Sequence, residues 1–425
     1  MRTDFVDLKY VPGRDEVIAE FFVEPNKISL ESVCNHIAGE SSIGTWTEVK
    51  TMKSRILRDL KPAVFSIRKK DRIVKIAYPL GLFELGSIPQ LMSSIGGNIF
   101  GMKAVRNLRL LDIRFPKRYI KSFEGPKFGI PGVRKKLHIR KRPLLGTIVK
   151  PKLGLSEKEH ADSAYQSWIG GMDIVKDDEN LTSMSFNKFE KRIIETLRMR
   201  DKAEEKTGEG KFYMPNVTSE THEMLKRANF VRKNGGEYMM IDIVSVGWSG
   251  LQTLRKFNND LNLIIHAHRA GHAAFTKNPK HGISMLVVAK IARLIGVDQI
   301  HIGTARVGKM SDTETCEIED EIESKFITEL SGGHTLEQFW FHIKPVFAVA
   351  SGGLHPGSVP KLLERMGTNL IIQAGGGIHG HPGGSEAGAR AMRQSLEAAM
   401  KGIPLEGYAK KRKELSQAIK KWGVK

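Results

Sequence analysis

Gly170-Gly171-Met172-Asp173-Ile174-Val175-Lys176-Asp177-Asp178-Glu179-Asn180 reads as a short apolar strand that ends in a lysine and three consecutive acids. Side chains alternate along a strand, so Lys176 and Asp178 can point the same way, with Glu179 following as the chain turns out. Clustered carboxylates at a strand end suit a hard divalent cation. The alternative is that the acids cap a helix N-terminus; they follow a strand lysine directly, which favours the metal. The lysine is the anomaly, because an ammonium is a poor neighbour for a metal ion unless its charge is changed.

Outward from this stretch the same grammar repeats. Short apolar runs fall at 146–149, 172–175, 212–214, 239–243, 263–266, 299–302, 346–350 and 370–373. Most gaps hold amphipathic helical sequence, as at 186–200, 221–231, 283–294 and 386–400. Eight strands alternating with helices predict a C-terminal (β/α)8 TIM barrel, and polar or Gly-rich motifs follow the strand ends where such barrels carry chemistry. A doubly wound sheet is the alternative, but it does not normally place chemistry after six of eight strands. Ahead of the barrel, the sequence predicts strands at 17–23, 45–49, 63–67, 73–77 and 105–113, and helices at 29–37, with Ser29 as cap, and 88–95. That is a smaller α+β, ferredoxin-like domain with helices on one side of a mainly antiparallel sheet. The Gly-, Pro- and Lys/Arg-rich segment 123–142 is the natural boundary. The expected domains are 1–135 and 136–425, the second ending in a helical tail.

With 425 residues, 40% hydrophobic and 27% charged, the chain has ample core for two domains. No apolar run is long enough to cross a bilayer, and the N-terminus lacks the basic-then-apolar order of a signal peptide. Only Cys34 and Cys316 are present, which argues against a disulfide framework and fits a reducing, cytoplasmic setting. The net charge is +20, with eleven Lys and Arg between Arg114 and Arg142 and a basic run at 410–413. Nucleic-acid binding is one reading of that charge. The basic runs lack interleaved stacking aromatics, so a solvated surface that attracts anionic substrates is the better one.

The remaining motifs follow the other strands. Lys150 and Lys152, two apart after the first strand, share one face of an extended segment and can reach a phosphate or an enolate oxygen; otherwise they line a solvated loop. After the fifth strand come His266, His268, Arg269 and His272, with His266 and His268 on one face. Three histidines with an arginine suggest proton transfer and anion binding. Zinc binding is the weaker alternative, since no carboxylate or cysteine set accompanies them. After the sixth, two glycines bracket a loop from His301 to Lys309, the pattern of a mobile lid that carries charge onto a substrate; its plain reading is an ordinary loop with an exposed lysine. Ser351-Gly352-Gly353 and Gly375-Gly376-Gly377 follow strands seven and eight, where backbone N–H groups of TIM barrels commonly hold phosphate. Together these residues suit deprotonation next to a carbonyl in a phosphorylated sugar, with a metal holding the enediolate.

These motifs, in this order, resemble the large subunit of ribulose-1,5-bisphosphate carboxylase/oxygenase over nearly the whole chain. The resemblance rests on residues 40–46 (ESSIGTW), 97–101 (GNIFG), 150–155 (KPKLGL), the stretch 170–180, His268-Arg269-Ala270 and the loop 303–309. It implies a Mg2+ ion held by Asp178, Glu179 and Lys176, the lysine carrying a carbamate formed from CO2. It implies catalytic roles for Lys150 in proton transfer, Lys152 in supporting the site, His268 in a relay and Lys309 on the lid. It implies substrate contacts from Arg269, His301, Ser351, Gly352, Gly353, Gln373, Gly375 and Gly376. Glu40, Thr45, Trp46 and Asn98 match residues lent by a partner subunit, which implies a head-to-tail homodimer. Ile148, where plant enzymes have Thr, and a lid loop one residue longer resemble form II and archaeal members. The short length points to the archaeal type (form III or a relative), with no small subunit. The implied reaction is carboxylation of ribulose 1,5-bisphosphate and cleavage to two 3-phosphoglycerates, O2 competing with CO2, in nucleotide or sugar-phosphate metabolism. A related enolase or isomerase that fixes no CO2 is the near alternative.

Overall fold

The computed structural model describes residues 4–45, 47, 49–309, 314–329 and 336–425. By internal contacts the chain forms two units. One comprises Met1–Gly125, Gly271–Ile295 and Ser324–Ile343; the other comprises Pro126–Ala270, Gly296–Glu323 and Lys344–Lys425.

The first unit is built on β1 (Glu16–Pro25), β2 (Ala63–Arg68), β3 (Ile73–Pro79) and β4 (Val105–Arg114). β1 lies between β3 and β4 and β3 also pairs with β2, all antiparallel; the two-residue strand Gly282–Ile283 adds parallel to β4. β1 is the central strand and is buried on both faces from Glu16 to Phe21, with Val17, Ala19, Phe21 and Val23 fully buried on one face and Ile18 and Glu20 buried on the other. Ser29 caps the helix Leu30–Glu40 by accepting the Ser32 N–H. Asp112 on β4 and Lys290 on the helix Met285–Ile295 form a wholly buried ion pair at 2.7 Å. Of the strand expected at 45–49, the described residues 45, 47 and 49 lie in no strand, residues 46 and 48 lie outside the described residues, and the helix Ser54–Leu60 follows. β-branched Thr and Val favour a strand only where a neighbouring strand is there to pair with.

The second unit is the barrel. Its strands are β5 (Leu144–Ile148), β6 (Ile174–Lys176), β7 (Phe212–Met214), β8 (Tyr238–Asp242), β9 (Ile264–His268), β10 (Gln299–His301), β11 (Phe347–Ser351) and β12 (Leu370–Gln373). They run parallel in the order β7-β6-β5-β12-β11-β10-β9-β8. Hydrogen bonds from Met240 N to Pro215 O and from Val217 N to Met240 O close β8 onto the chain leaving β7. All eight expected strands form, within a few residues of their predicted ends.

One end of this barrel is sealed. Leu144, Ile174, Phe212, Tyr238, Ile264 and Phe347 begin their strands, and they share a buried cluster with Ile130, Val133 and Leu137 from the helix Gly129–Leu137. Each such side chain contributes roughly 1.5–3 kcal/mol on burial. Asp173, ahead of β6, accepts from Arg142, Arg393 and the Leu145 N–H, tying the same end together. The chemistry is therefore left to the C-terminal ends of the strands.

Candidate active site

β6 delivers its polar residues by alternation. Lys176 and Asp178 face one side and Asp177 the other, as the period of two requires. Asp177 is wholly buried. It accepts from Arg192 at 3.1 Å, from the Tyr213 hydroxyl and from the Asn216 N–H at 2.9 Å. His160 Nε2 also lies 3.1 Å away. Burial raises the Asp177 carboxyl, but Arg192 and His160 outweigh it and hold the group ionised, far below the usual carboxylate range. This buried network clamps the strand end from behind.

On the front, Lys176 Nζ is closed off from water. It donates to the Asp177 carbonyl at 2.9 Å, touches Met240 Sδ at 3.4 Å and lies 3.8 Å from Glu179 Oε2. Burial lowers its pKa, and the neighbouring Glu179, Asp178 and Asp242 do not restore it. Lys150 Nζ lies 2.6 Å from Asp178 Oδ2, and Lys152 Nζ 3.3 Å from Glu179 Oε1. His268 Nε2 lies 3.6 Å from Glu179 Oε2, while its Nδ1 is 2.9 Å from Asp242 Oδ1. Burial raises the Glu179 carboxyl, but Lys176 and then His268 bring it down to about 2. The five residues expected around the acids, Lys150, Lys176, Asp178, Glu179 and His268, thus meet, with Lys152 at their edge.

The histidines form a column. His266 Nε2 is 2.9 Å from His301 Nε2, and the His268 and His301 rings sit 4.6 Å apart, edge to face. His266 is engaged by His301 and by Gln299 (Nδ1 to Oε1, 3.1 Å). Burial drives His266 and His301 well below the usual imidazole range, and the neighbouring charges, Arg269 among them for His301, add to it. His272 belongs to the first unit, where its Nδ1 pairs with Thr276 Oγ1 at 2.8 Å.

The loop 303–309 lies on the turn after β11. Lys309 N donates to Gly352 O at 3.0 Å, and a Cβ on Gly308 would sit 2.2 Å from that carbonyl. Gly353 has φ +72°, and a Cβ there would meet the Lys309 stem at 2.5 Å, so glycine is required twice over. After β12, a Cβ on Gly375 would meet Lys150 Cε at 2.9 Å, whereas Gly376 faces open space. Gln373 is fully buried, its stem packed over Gly146 and its Oε1 without a hydrogen-bond partner. Glu40, Thr45 and Asn98 are exposed on the first unit, where the helix Leu30–Glu40 packs against the turn Asn98–Gly101; Trp46 lies outside the described residues.

Sequence reading missed Asp242, which orients His268, and the Asp177 network of His160, Arg192 and Tyr213. An acid closing an apolar run was the available signal for Asp242. His160 and Arg192 sit on amphipathic helices and give none.

Fold and site together define a TIM-barrel enzyme with a lysine–carboxylate–histidine centre at the strand ends. Residues 129–422 match the family described as ribulose bisphosphate carboxylase large chain, catalytic domain, and residues 4–119 match its N-terminal domain. The chain is 52% identical over 428 residues to the ribulose bisphosphate carboxylase of Methanocaldococcus jannaschii, covering 99% of this chain and 100% of that one. It is also 52% identical to that of Pyrococcus abyssi, covering 99% and 96%. Among solved structures, the dimeric archaeal Rubisco of Hyperthermus butylicus superposes with a TM-score of 0.94 at 48% identity, covering 99% of each chain. The octameric enzyme of Pyrococcus horikoshii, in complex with sulfate, superposes with a TM-score of 0.92 at 50% identity, covering 99% and 96%. The chain belongs to the ribulose bisphosphate carboxylase large chain family. Among its described residues no helix is long and apolar enough to cross a membrane.

Proposed function

We propose that this chain adds CO2 to ribulose 1,5-bisphosphate and cleaves the product to two molecules of 3-phosphoglycerate. The observation that carries the reading is Lys176, fully buried, shifted toward its neutral form and 3.8 Å from Glu179. A neutral amine is the nucleophile that CO2 needs. The nitrogen lone pair attacks the carbon of CO2, an N–C bond forms and one N–H proton leaves, so a would-be cation becomes an anionic oxygen donor.

The donor set fits Mg2+ on that basis. No group of three or more His, Cys, Asp or Glu among the described residues is arranged to hold a metal. Asp178 and Glu179 need a third anionic oxygen, and modified Lys176 supplies it. When bound, the ion would stabilise negative charge on the substrate's enediolate oxygens.

The chain's own groups supply the rest. Lys150, whose stem rests on Gly375, moves a proton at the substrate carbon. Lys152 supports the carboxylates. His268, oriented by Asp242, relays protons. Lys309 is carried over the substrate by its loop and neutralises the new carboxylate. Arg269, His301, Ser351, Gly352, Gly353, Gln373, Gly375 and Gly376 bind the phosphates and hydroxyls. Enolisation, carboxylation, hydration and C–C cleavage follow, and O2 competes for the enediolate. Glu40, Thr45, Trp46 and Asn98 serve the active site of a second copy in a head-to-tail homodimer without a small subunit, a reading supported by the dimeric and octameric relatives. The place of the reaction in nucleotide or sugar-phosphate metabolism follows from the resemblance to the archaeal type.

The test is a product assay with labelled CO2 and ribulose bisphosphate after preincubation with Mg2+ and bicarbonate. Labelled phosphoglycerate is expected. Turnover of the sugar without labelled product would replace this reading with an enolase or isomerase.

A further inference from the structure

His379 has no part in the chemistry above, yet it lies where three pieces of the barrel mouth meet. It ends the short turn Gly376–His379 after β12. Its Nε2 is 3.2 Å from Thr147 Oγ1 on β5, and its Nδ1 is 2.9 Å from Ser385 Oγ on the helix Gly384–Met400. Its own N–H donates to Gly375 O at 3.0 Å.

Hydrogen-bond direction fixes the tautomer. A hydroxyl has one proton, and Thr147 Oγ1 is 2.8 Å from the Ala374 carbonyl, which can only accept. The Thr147 proton therefore goes to Ala374, and Thr147 Oγ1 must accept from His379. So Nε2 carries the hydrogen, and Nδ1 of the neutral ring accepts from Ser385. The result is one directional chain, Ser385 to His379 to Thr147 to Ala374. The neutral ring this needs is consistent with its surroundings: burial lowers the imidazole to about 4 and Lys150 pushes in the same direction, which outweighs the Ile148 backbone carbonyl at the same strand end.

The chain brackets Lys150. Thr147 lies three residues before it on β5. Gly375, whose carbonyl His379 holds, is the backbone on which the Lys150 Cε rests. Ala374 N in turn donates to Gly146 O at 3.1 Å, closing β12 onto β5. Displacing His379 would loosen the surface that fixes the Lys150 amine, 2.6 Å from Asp178.

We infer that His379 is a positioning residue: as a neutral Nε2–H imidazole it locks the β5 end to the Gly375–Gly377 turn and so sets where the Lys150 amine sits. This rests on the role given to Lys150 above. The ring touches no reacting atom in this scheme, so its loss should appear in kcat, through Lys150, more than in KM.

The test compares His379→Gln, His379→Asn and His379→Leu in the full-length protein, with CO2 fixation measured at saturating and limiting ribulose bisphosphate. Gln places an amide N–H near the Nε2 position and Asn does not reach it. His379→Gln should stay within a few-fold of the parent kcat. His379→Asn and His379→Leu should lose on the order of 10- to 100-fold, as misplacement of a catalytic group does, with KM moving less. Thr147→Val removes the side-chain acceptor, so it should add little on top of His379→Leu. Equal kcat for Gln and Asn, or full additivity with Thr147→Val, would overturn the inference. If His379→Leu does not fold, the Gln/Asn pair decides. A parent protein that fixes no CO2 refutes the proposed reaction instead, and is scored on that assay alone.

Discussion

At the scale of single residues, protons and CO2 compete for one lone pair on Lys176. Burial lowers the pKa of that amine, so its neutral fraction grows at lower pH than for a free lysine, near 10.4, and still rises as pH rises. At fixed dissolved CO2, the rate of activation by preincubation should therefore increase with pH across the neutral to mildly alkaline range; a flat profile would remove the role given to Lys176. Lys176→Ala should lose tight Mg2+ retention and on the order of 10²-fold or more of activity together, and Mg2+ binding measured beside turnover checks that the two losses travel together. The identities of these residues were legible in the sequence. Lys176, Asp178 and Glu179 stand in one short stretch, and strand alternation sorts Asp177 from its neighbours. The burial of Lys176 was not, because it is created by Met240 on β8 and by the Asp177 clamp, both of which reach it only through the fold.

At the scale of elements, the loop 303–309 and the turn after β11 form one working piece. Lys309 is held to Gly352 through its backbone and rests on Gly353 through its stem. Lys309→Met keeps the packing and removes the charge. We expect it to lose carboxylation while retaining some proton exchange at the substrate carbon, followed by loss of tritium from labelled substrate; equal loss of both would move Lys309 out of its lid role. The barrel strands were readable from their apolar runs because each is buried on both faces, and such runs need no partner to be recognised. At 45–49 the residue types suit a strand, but its described residues 45, 47 and 49 pair with no neighbouring strand, and residue type alone does not supply one. The Asp242–His268 contact joins β8 to β9, a pairing that local sequence does not encode.

At the scale of the whole molecule, the proposed head-to-tail pairing gives each active site residues from two chains. Subunits carrying Lys176→Ala and subunits carrying Glu40→Gln should each be nearly inactive alone. Unfolded and refolded together in equal amounts, half of the dimers would be hybrids, each with one doubly defective and one intact site. About a quarter of the parent activity should return, by the statistics of a two-fold assembly. No recovery, in a mixture shown by mass to contain hybrids, would place Glu40 outside the partner's site.

Lys150 and Lys152 sit on Asp178 and Glu179, the same carboxylates that an incoming divalent ion would need. The tighter hold is on Lys150, paired at 2.6 Å with buried Asp178, whereas Lys152 is half exposed; a divalent ion that takes Asp178 would release the Lys150 amine. On the proposed reaction the centre would work as an interlock: arming it and freeing the Lys150 amine would be one event, and substrate that arrives first would meet a bolt already thrown.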